Sequence, residues 1–155
     1  MKARVLLIVA LALVIVGGIS APPAAAGDAV VPFKARYETY PEAELDFPYL
    51  MVEIPAAGQA THLGESTFYA DMWVLLTVVP NPQWSDNMTL TAANGDELWG
   101  TYEGWGTPIP DPEFWGTFEI SGGSGRFEGV TGSGAYWGQV TGETGMLYLE
   151  GTLTK

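Results

Sequence analysis

Apolar and polar residues alternate along the last third of this chain, and the alternation predicts β-strands. The clearest runs cover residues 97–103, 114–121, 133–140 and 146–154. Further runs at 33–40, 59–63, 66–79 and 88–93 bring the predicted set to about eight antiparallel strands. The proline-containing stretches 40–55, 79–84 and 107–112 are predicted as irregular loops, the first with a short extra strand at 50–54.

The alternation also assigns the two faces of the late strands. One face carries carboxylates together with tryptophans, and the other carries apolar side chains and glycines. Because burying an unpaired carboxylate costs several kcal/mol, the acidic face is predicted to lie outside. Trp99, Trp115 and Trp137 share that face. The predicted inner surface consists of Leu98, Tyr102, Phe118, Ile120, Tyr136, Leu147 and Leu149.

The dipeptide Trp-Gly occurs at Trp99, Trp105, Trp115 and Trp137. A glycine inside a strand marks a bend or a close approach of another backbone, and an aromatic neighbour can cover it. The repetition predicts a sheet curled into a barrel, whose interior holds packed side chains or one small ligand. The candidate cavity lining is Leu98, Gly100, Tyr102, Gly116, Phe118, Tyr136 and Gly138.

The opposite arrangement stays open at this point. If the three tryptophans converged inside the barrel beside carboxylates, the favoured ligand would be a cation or a carbohydrate rather than an apolar molecule.

Turn signals separate the predicted strands. Asn94-Gly95 lies between two of them and favours a type I′ hairpin turn, in which both central residues have positive φ. Glycine-rich segments at 122–125 and 142–145 mark later turns, and a short helical turn is expected near residues 126–130.

The N-terminus has the pattern of an export signal. Lys2 and Arg4 precede an apolar run at 5–19, and small residues end at Ala26. An uncleaved anchor is the alternative, since the run approaches the roughly 18 residues of a spanning helix. Glycines at 17–18 and prolines at 22–23 favour cleavage. The chain is therefore predicted to be a signal peptide (1–26) followed by one barrel domain (27–155), secreted or otherwise extracytoplasmic.

The net charge of the chain limits which classes of partner are expected. The chain has a net charge of −12, and removal of residues 1–26 would leave four basic residues against 18 acidic ones, a balance of −14. Such a chain repels nucleic acid and anionic lipid, so neither nucleic acid nor a membrane is an expected partner after cleavage. The absence of cysteine from the sequence excludes disulfides and a lipoprotein anchor. Oligomeric state is not predicted.

Three segments carry a family resemblance: Ala60-Thr61-His62-Leu63-Gly64, Thr91-Ala92-Ala93-Asn94-Gly95-Asp96 and Gly122-Gly123-Ser124-Gly125-Arg126-Phe127, the last followed by Gly129 and Gly132-Ser133-Gly134. Together they resemble a family of small secreted bacterial proteins of uncharacterised function. The last segment is also similar to the turn and short helix of plant dirigent proteins and the allene oxide cyclase barrel. The resemblance covers roughly residue 58 onward and implies an eight-stranded antiparallel barrel with a central cavity. Only turn-forming residues match, so it implies no catalytic residue.

Catalytic and metal-binding patterns are sparse. His62 is the single histidine and the sequence has no cysteine, so a zinc site is not indicated. The sequence contains no Gly-x-Ser-x-Gly motif, so a hydrolase elbow is not indicated either. A histidine beside a turn is instead expected to bond a backbone carbonyl. No catalytic residue, metal site or cofactor is predicted.

Two function classes remain. The first is a non-catalytic exported barrel that binds a small, largely apolar molecule, or acts as a structural or interaction module. The alternative is a cyclase- or isomerase-like barrel enzyme that shapes a reactive intermediate, with a carboxylate or His62 moving a proton. The groups that face the cavity distinguish the two.

Overall fold

The computed structural model describes residues 28–155. The predicted signal peptide therefore lies outside the described residues. Within this range the chain forms one short 3-10 turn at Gly125–Phe127 and eleven β-strands. They are β1 (Val30–Thr39), β2 (Glu42–Asp46), β3 (Tyr49–Glu53), β4 (Ala56–Ala60), β5 (Gly64–Tyr69), β6 (Asp71–Leu75), β7 (Asn81–Ala92), β8 (Glu97–Gly106), β9 (Glu113–Gly123), β10 (Thr131–Thr141) and β11 (Thr144–Thr154).

Eight of these strands close into an antiparallel barrel, which confirms the predicted all-β fold class. Around the wall the order is β1, β4, β5, β7, β8, β9, β10, β11 and back to β1. The seam between β1 and β11 runs from the pair Val30–Thr154 to the pair Thr39–Gly145. We call the end at Thr39 the mouth and the end at Val30 the closed end.

The other three strands continue the sheet beyond the barrel at the mouth. We call β2, β3 and β6 the rim extension. β6 pairs with the first part of β7 through Trp73–Trp84 and Val74–Gln83, and β2 and β3 pair onto it in turn. On the outer face of the rim extension, the ring of Tyr49 packs edge-on against those of Trp73 and Trp84, at 6.0 and 6.2 Å between centroids.

The sheet leaves the barrel wall along a single crease. Strands β1 and β2 are interrupted at residues 40–41, β3 and β4 at 54–55, and β5 and β6 at Ala70. The register of β7 shifts between Ser85 and Met88. Backbone bonds span the crease, because Tyr40 N donates to Pro55 O and Ile54 N donates to Ala70 O, each at 2.9 Å. The sheet therefore bends at one level across four neighbouring strands, and backbone bonds persist there from β1/β2 to β5/β6, while the ladder along β7 is interrupted between Ser85 and Met88.

This crease is where the sequence-based prediction is wrong. Residues 40–55 contain two paired strands instead of a loop with one short strand, and 79–84 is largely the start of β7. The predicted strand 66–79 is two strands, and 59–63 ends in a turn after Ala60. Pro82 is compatible with β7 because it is the second residue of that strand, near the end of the ladder. The prediction of a loop at 107–112 is confirmed.

The turn at Asn94-Gly95 also differs from the prediction. Gly95 has φ 88° whereas Asn94 has no positive φ, so the turn is not type I′. Gly95 N donates to Ala92 O, and Ala92 N donates to Asp96 O, both at 2.9 Å. This is the three-residue hairpin loop, in which a tight turn is followed by glycine in the left-handed region.

The predicted assignment of the two faces is confirmed. Trp99, Trp115 and Trp137 are 41–42% exposed, while the seven predicted inner residues from Leu98 to Leu149 are buried. A methyl group on Gly122 would lie 2.8 Å from Trp99 Nε1, so that indole covers the glycine. Trp137 stacks on Tyr148 of the adjacent strand with ring centroids 5.8 Å apart.

The closed end is filled by side chains. Phe33 packs edge-on against Phe118 with ring centroids 6.0 Å apart. Leu63 comes from the turn between β4 and β5, and Phe127 and Val130 come from the segment between β9 and β10 that contains the predicted turn. All three are buried in the core and cover this end of the barrel.

Candidate functional site

A cavity of about 250 Å³ occupies the mouth half of the barrel. This volume lies just below the roughly 300 Å³ at which the usual range of ligand pockets begins. The wall is mostly apolar and has three parts. The barrel contributes Phe68, Met88, Tyr102, Phe118, Tyr136, Leu147 and Leu149; the rim extension contributes Ala43, Leu50, Val52, Met72 and Val74; and the loop after β8 contributes Thr107, Ile109, Pro110 and Pro112.

The cavity reaches the surface beside the rim extension and the loop at 107–112, because Ala43 of β2 and Ile109 of the loop both line it and are both exposed to solvent. Two hydrogen bonds fix this loop: Glu113 N donates to Thr107 Oγ1 at 2.8 Å, and Gly142 N donates to Asp111 Oδ1 at 3.1 Å. The entrance thus has a hydrogen-bonded side and a side formed by the edge of a sheet.

Several apolar side chains are exposed on the rim extension and the loop after β8. Leu45 lies near the end of β2, and the others lie in the connections β2–β3, β6–β7 and β8–β9: Phe47, Val78, Val79 and Ile109. Of these, Ile109 also lines the cavity.

The residues predicted to line a cavity fall into two groups. Tyr102, Phe118 and Tyr136 lie in the cavity wall. Leu98 is fully buried in the packed core, away from the cavity. The remaining three, Gly100, Gly116 and Gly138, are also absent from the cavity wall.

The space beside these glycines is already filled. A methyl group on Gly116 would lie 2.7 Å from Tyr136 Cε1, and one on Gly138 would lie 2.5 Å from Phe114 Cζ. At Gly100 the backbone of Glu119 approaches instead. The glycines therefore allow aromatic rings and neighbouring strands to come close, and the open volume results from the bend of the sheet at the crease.

Two polar side chains in the wall were missed by sequence reasoning, because 79–84 was predicted to be a loop. Asn81 and Gln83 are both buried and point into the barrel with Ser85. Their alternation with Pro82 and Trp84 was the available signal. Asn81 Nδ2 donates to Val78 O at 2.8 Å and fixes the β6–β7 turn.

Gln83 reaches across the cavity to a tyrosine. Its Nε2 donates to Tyr136 Oη at 2.9 Å. The ring of Tyr136 lies edge-on to that of Tyr102, with centroids 5.1 Å apart. Burial raises the pKa of both phenols above the ordinary value, and this rise is opposed in part by the nearby Ser85 hydroxyl at Tyr102 and by the Gln83 bond at Tyr136. Both hydroxyls are therefore protonated over the physiological pH range.

Tyr102 is 7% exposed, and within residues 28–155 its buried Oη makes no hydrogen bond. Its neighbour Ser85, on the adjacent strand β7, donates its own hydroxyl hydrogen to Asn87 Oδ1 at 3.0 Å instead. An unsatisfied buried hydroxyl costs about 1–3 kcal/mol. Such a group in a cavity wall is available to bond a ligand.

Basic groups lie away from the cavity. Lys34 Nζ pairs with Glu150 at 2.8 Å on the outer face, and Arg126 Nε lies 3.7 Å from Asp96 near the closed end. The titratable side chains in the described wall are the two tyrosines. The interior is therefore suited to an uncharged molecule.

His62 lies at the closed end, in the turn after β4. It has φ 69°, and its Nε2 is 3.0 Å from Pro32 O, the kind of carbonyl bond expected from the sequence. Among residues 28–155 no three potential ligands cluster for a metal ion. Over the same range no helix is long and apolar enough to cross a membrane.

Comparison with known proteins gives no relative: no family model, curated protein or solved structure matches this chain.

Proposed function

We propose that this protein is an exported, non-catalytic barrel that binds a small, largely apolar molecule in its mouth cavity. The observation that carries the proposal is the cavity of about 250 Å³, apolar over most of its wall and open at one end. Moving apolar surface from water into such a site yields about 25 cal/mol per Å². The exposed apolar side chain of Ile109 in the cavity wall supports entry of this class of ligand.

Export and family are parts of the same proposal. Export rests on the residue pattern at 1–26, and family membership rests on the turn motifs at 60–64, 91–96 and 122–134. A dirigent- or allene oxide cyclase-like barrel has the same number of antiparallel strands as this barrel.

Binding is favoured over a cyclase or isomerase activity by the chemistry of the wall. Such an enzyme needs a group that exchanges a proton near neutral pH. The titratable groups in the described wall are Tyr102 and Tyr136, whose pKa values are raised by burial. Phenols in this state donate hydrogen bonds and are poor bases.

Fluorescence titration with N-phenyl-1-naphthylamine, a neutral apolar probe, tests the proposal. The wild-type protein should bind the probe with increased emission. Ala43→Trp places a large ring in the entrance and should weaken binding by at least tenfold. Ala57→Trp is the matched control, because Ala57 is exposed on the outer face of β4. Equal binding by both variants, or no binding by the wild type, would overturn the proposal.

A further inference from the structure

The cavity contains one polar patch, formed by Gln83, Tyr102 and Tyr136. The rest of the wall is apolar apart from Asn81 and two threonines, and Asn81 is committed to the β6–β7 turn through its bonds to Leu75 O and Val78 O. A ligand that fills this space meets polar groups at one place within the barrel.

The hydrogen-bonding capacity of the patch is only partly used. Tyr136 Oη accepts from Gln83 Nε2, which leaves the Tyr136 hydroxyl hydrogen without an acceptor among the described bonds. Tyr102 Oη has no partner in residues 28–155. Each phenol carries one donor hydrogen, so the patch presents two uncommitted donors and the free amide oxygen of Gln83.

The backbone holds Tyr136 in this position. Gly104 and Gly116 pair across β8 and β9, and the ring of Tyr136 lies against both. A methyl group on Gly104 would come within 2.5 Å of Tyr136 Oη. The two glycines therefore form a flat floor that allows the hydroxyl to lie beside β8, the strand that carries Tyr102.

We propose that Tyr102 and Tyr136, with Gln83, receive a single uncharged oxygen of the ligand, so that the ligand is an apolar molecule bearing one ketone, aldehyde, ester or hydroxyl group. This rests on the proposed function. Two neutral phenol donors match the lone pairs of a carbonyl or hydroxyl oxygen. A carboxylate is disfavoured because no cationic side chain of the described chain lines the cavity.

Two ligands of nearly equal shape test the proposal: 2-acetylnaphthalene, which has a ketone, and 2-ethylnaphthalene, which does not. The wild-type protein should bind the ketone about 3- to 10-fold more tightly, the range for one net hydrogen bond. Tyr102→Phe should clearly reduce this preference, because one of the two donors is lost while Tyr136 keeps the other. Affinity for the hydrocarbon should not fall, because phenylalanine retains the apolar ring. This variant should fold, since it removes an unsatisfied buried hydroxyl.

Tyr37→Phe is the matched control, because Tyr37 is also buried but lies outside the cavity wall and bonds Ser66. It should retain the ketone preference. A second readout is the carbonyl stretching band of the bound ketone, which should shift to lower frequency in the wild type and return towards its value in apolar solvent in Tyr102→Phe.

The outcomes separate the two proposals. Equal binding of both naphthalenes by the wild type, or a ketone preference that Tyr102→Phe leaves undiminished, overturns the polar site and leaves apolar binding intact. Binding of neither molecule, nor of N-phenyl-1-naphthylamine, overturns both.

Discussion

The two halves of the barrel are built from the same eight strands but are filled differently. At the closed end, Phe33, Leu90 and Leu98 are fully buried, and Phe127 covers the opening. At the mouth, the rim extension turns away at the crease and leaves about 250 Å³ open. The closed half supplies the packing that stabilises the fold. The mouth half tolerates an open cavity because its sheet continues into the paired strands of the rim extension.

The largest expected difference between the halves is the cost of deleting the same atoms. Leu90→Ala removes a fully buried side chain from the packed half and should lower the free energy of unfolding by about 2–5 kcal/mol. Leu50→Ala, at the half-buried cavity wall, should cost about 1 kcal/mol or less, because its side chain already borders open space. Denaturant unfolding of both variants measures this. Equal losses would show that the mouth half is packed as tightly as the closed half.

The buried Tyr37, which lies outside the cavity wall, makes the stability of the fold depend on pH. Burial raises the pKa of Tyr37 to about 12, partly opposed by its bond to Ser66. The folded state therefore favours the neutral phenol. The stability that the neutral Tyr37 phenol gives to the folded state is fully present below pH 10 and is lost as pH rises towards about 12. Over this range the free energy of unfolding should fall by about 2–3 kcal/mol.

Tyr37→Phe should accordingly be less stable than the wild type at pH 8 by about 1 kcal/mol, the value of the lost bond. Above about pH 11 the order should reverse, since phenylalanine does not ionise. Unfolding curves between pH 8 and 12 test this. A constant difference over that range would contradict the assigned burial of the phenol.

The smallest expected effect is at His62, in the exposed turn at the closed end. His62→Ala should lower stability by about 1 kcal/mol, because the bond to Pro32 O is lost and alanine disfavours the positive φ. His62→Asn should recover part of the loss, since asparagine tolerates this conformation. Binding of N-phenyl-1-naphthylamine should be unchanged in both, and its loss in a folded His62→Ala protein would contradict a structural role.

Sequence alone predicted the late strands β8–β11 well and the crease with its rim extension poorly. Strict alternation in β8–β11 places carboxylates outside, so the inner position of Phe118 and the outer position of Trp115 follow from the cost of burying charge. The crease has no comparable signal. Two of its bends occur at prolines, Pro41 and Pro55, and a proline equally suits a loop. The turn into β7 likewise carries Pro80 and Pro82. For this reason Gln83 was missed.

The glycines show a second limit. Alternation placed Gly116 and Gly138 on the inner face, but it does not reveal whether space beside a glycine stays open. Here the rings of Tyr136 and Phe114 occupy it. Which ring leans over which glycine depends on the curvature of the whole barrel, which is a property of all its strands together.

The seam between β1 and β11 has a kinetic consequence. Because Val30 pairs with Thr154, the barrel closes only when strands from opposite ends of the described chain meet. Contacts this distant in sequence form slowly, since loop entropy is lost before any pairing is gained. Until β11 docks, β1 and β10 each present an unpaired edge, and such edges recruit strands from other chains. Correct folding of this barrel therefore competes with aggregation until the seam is closed.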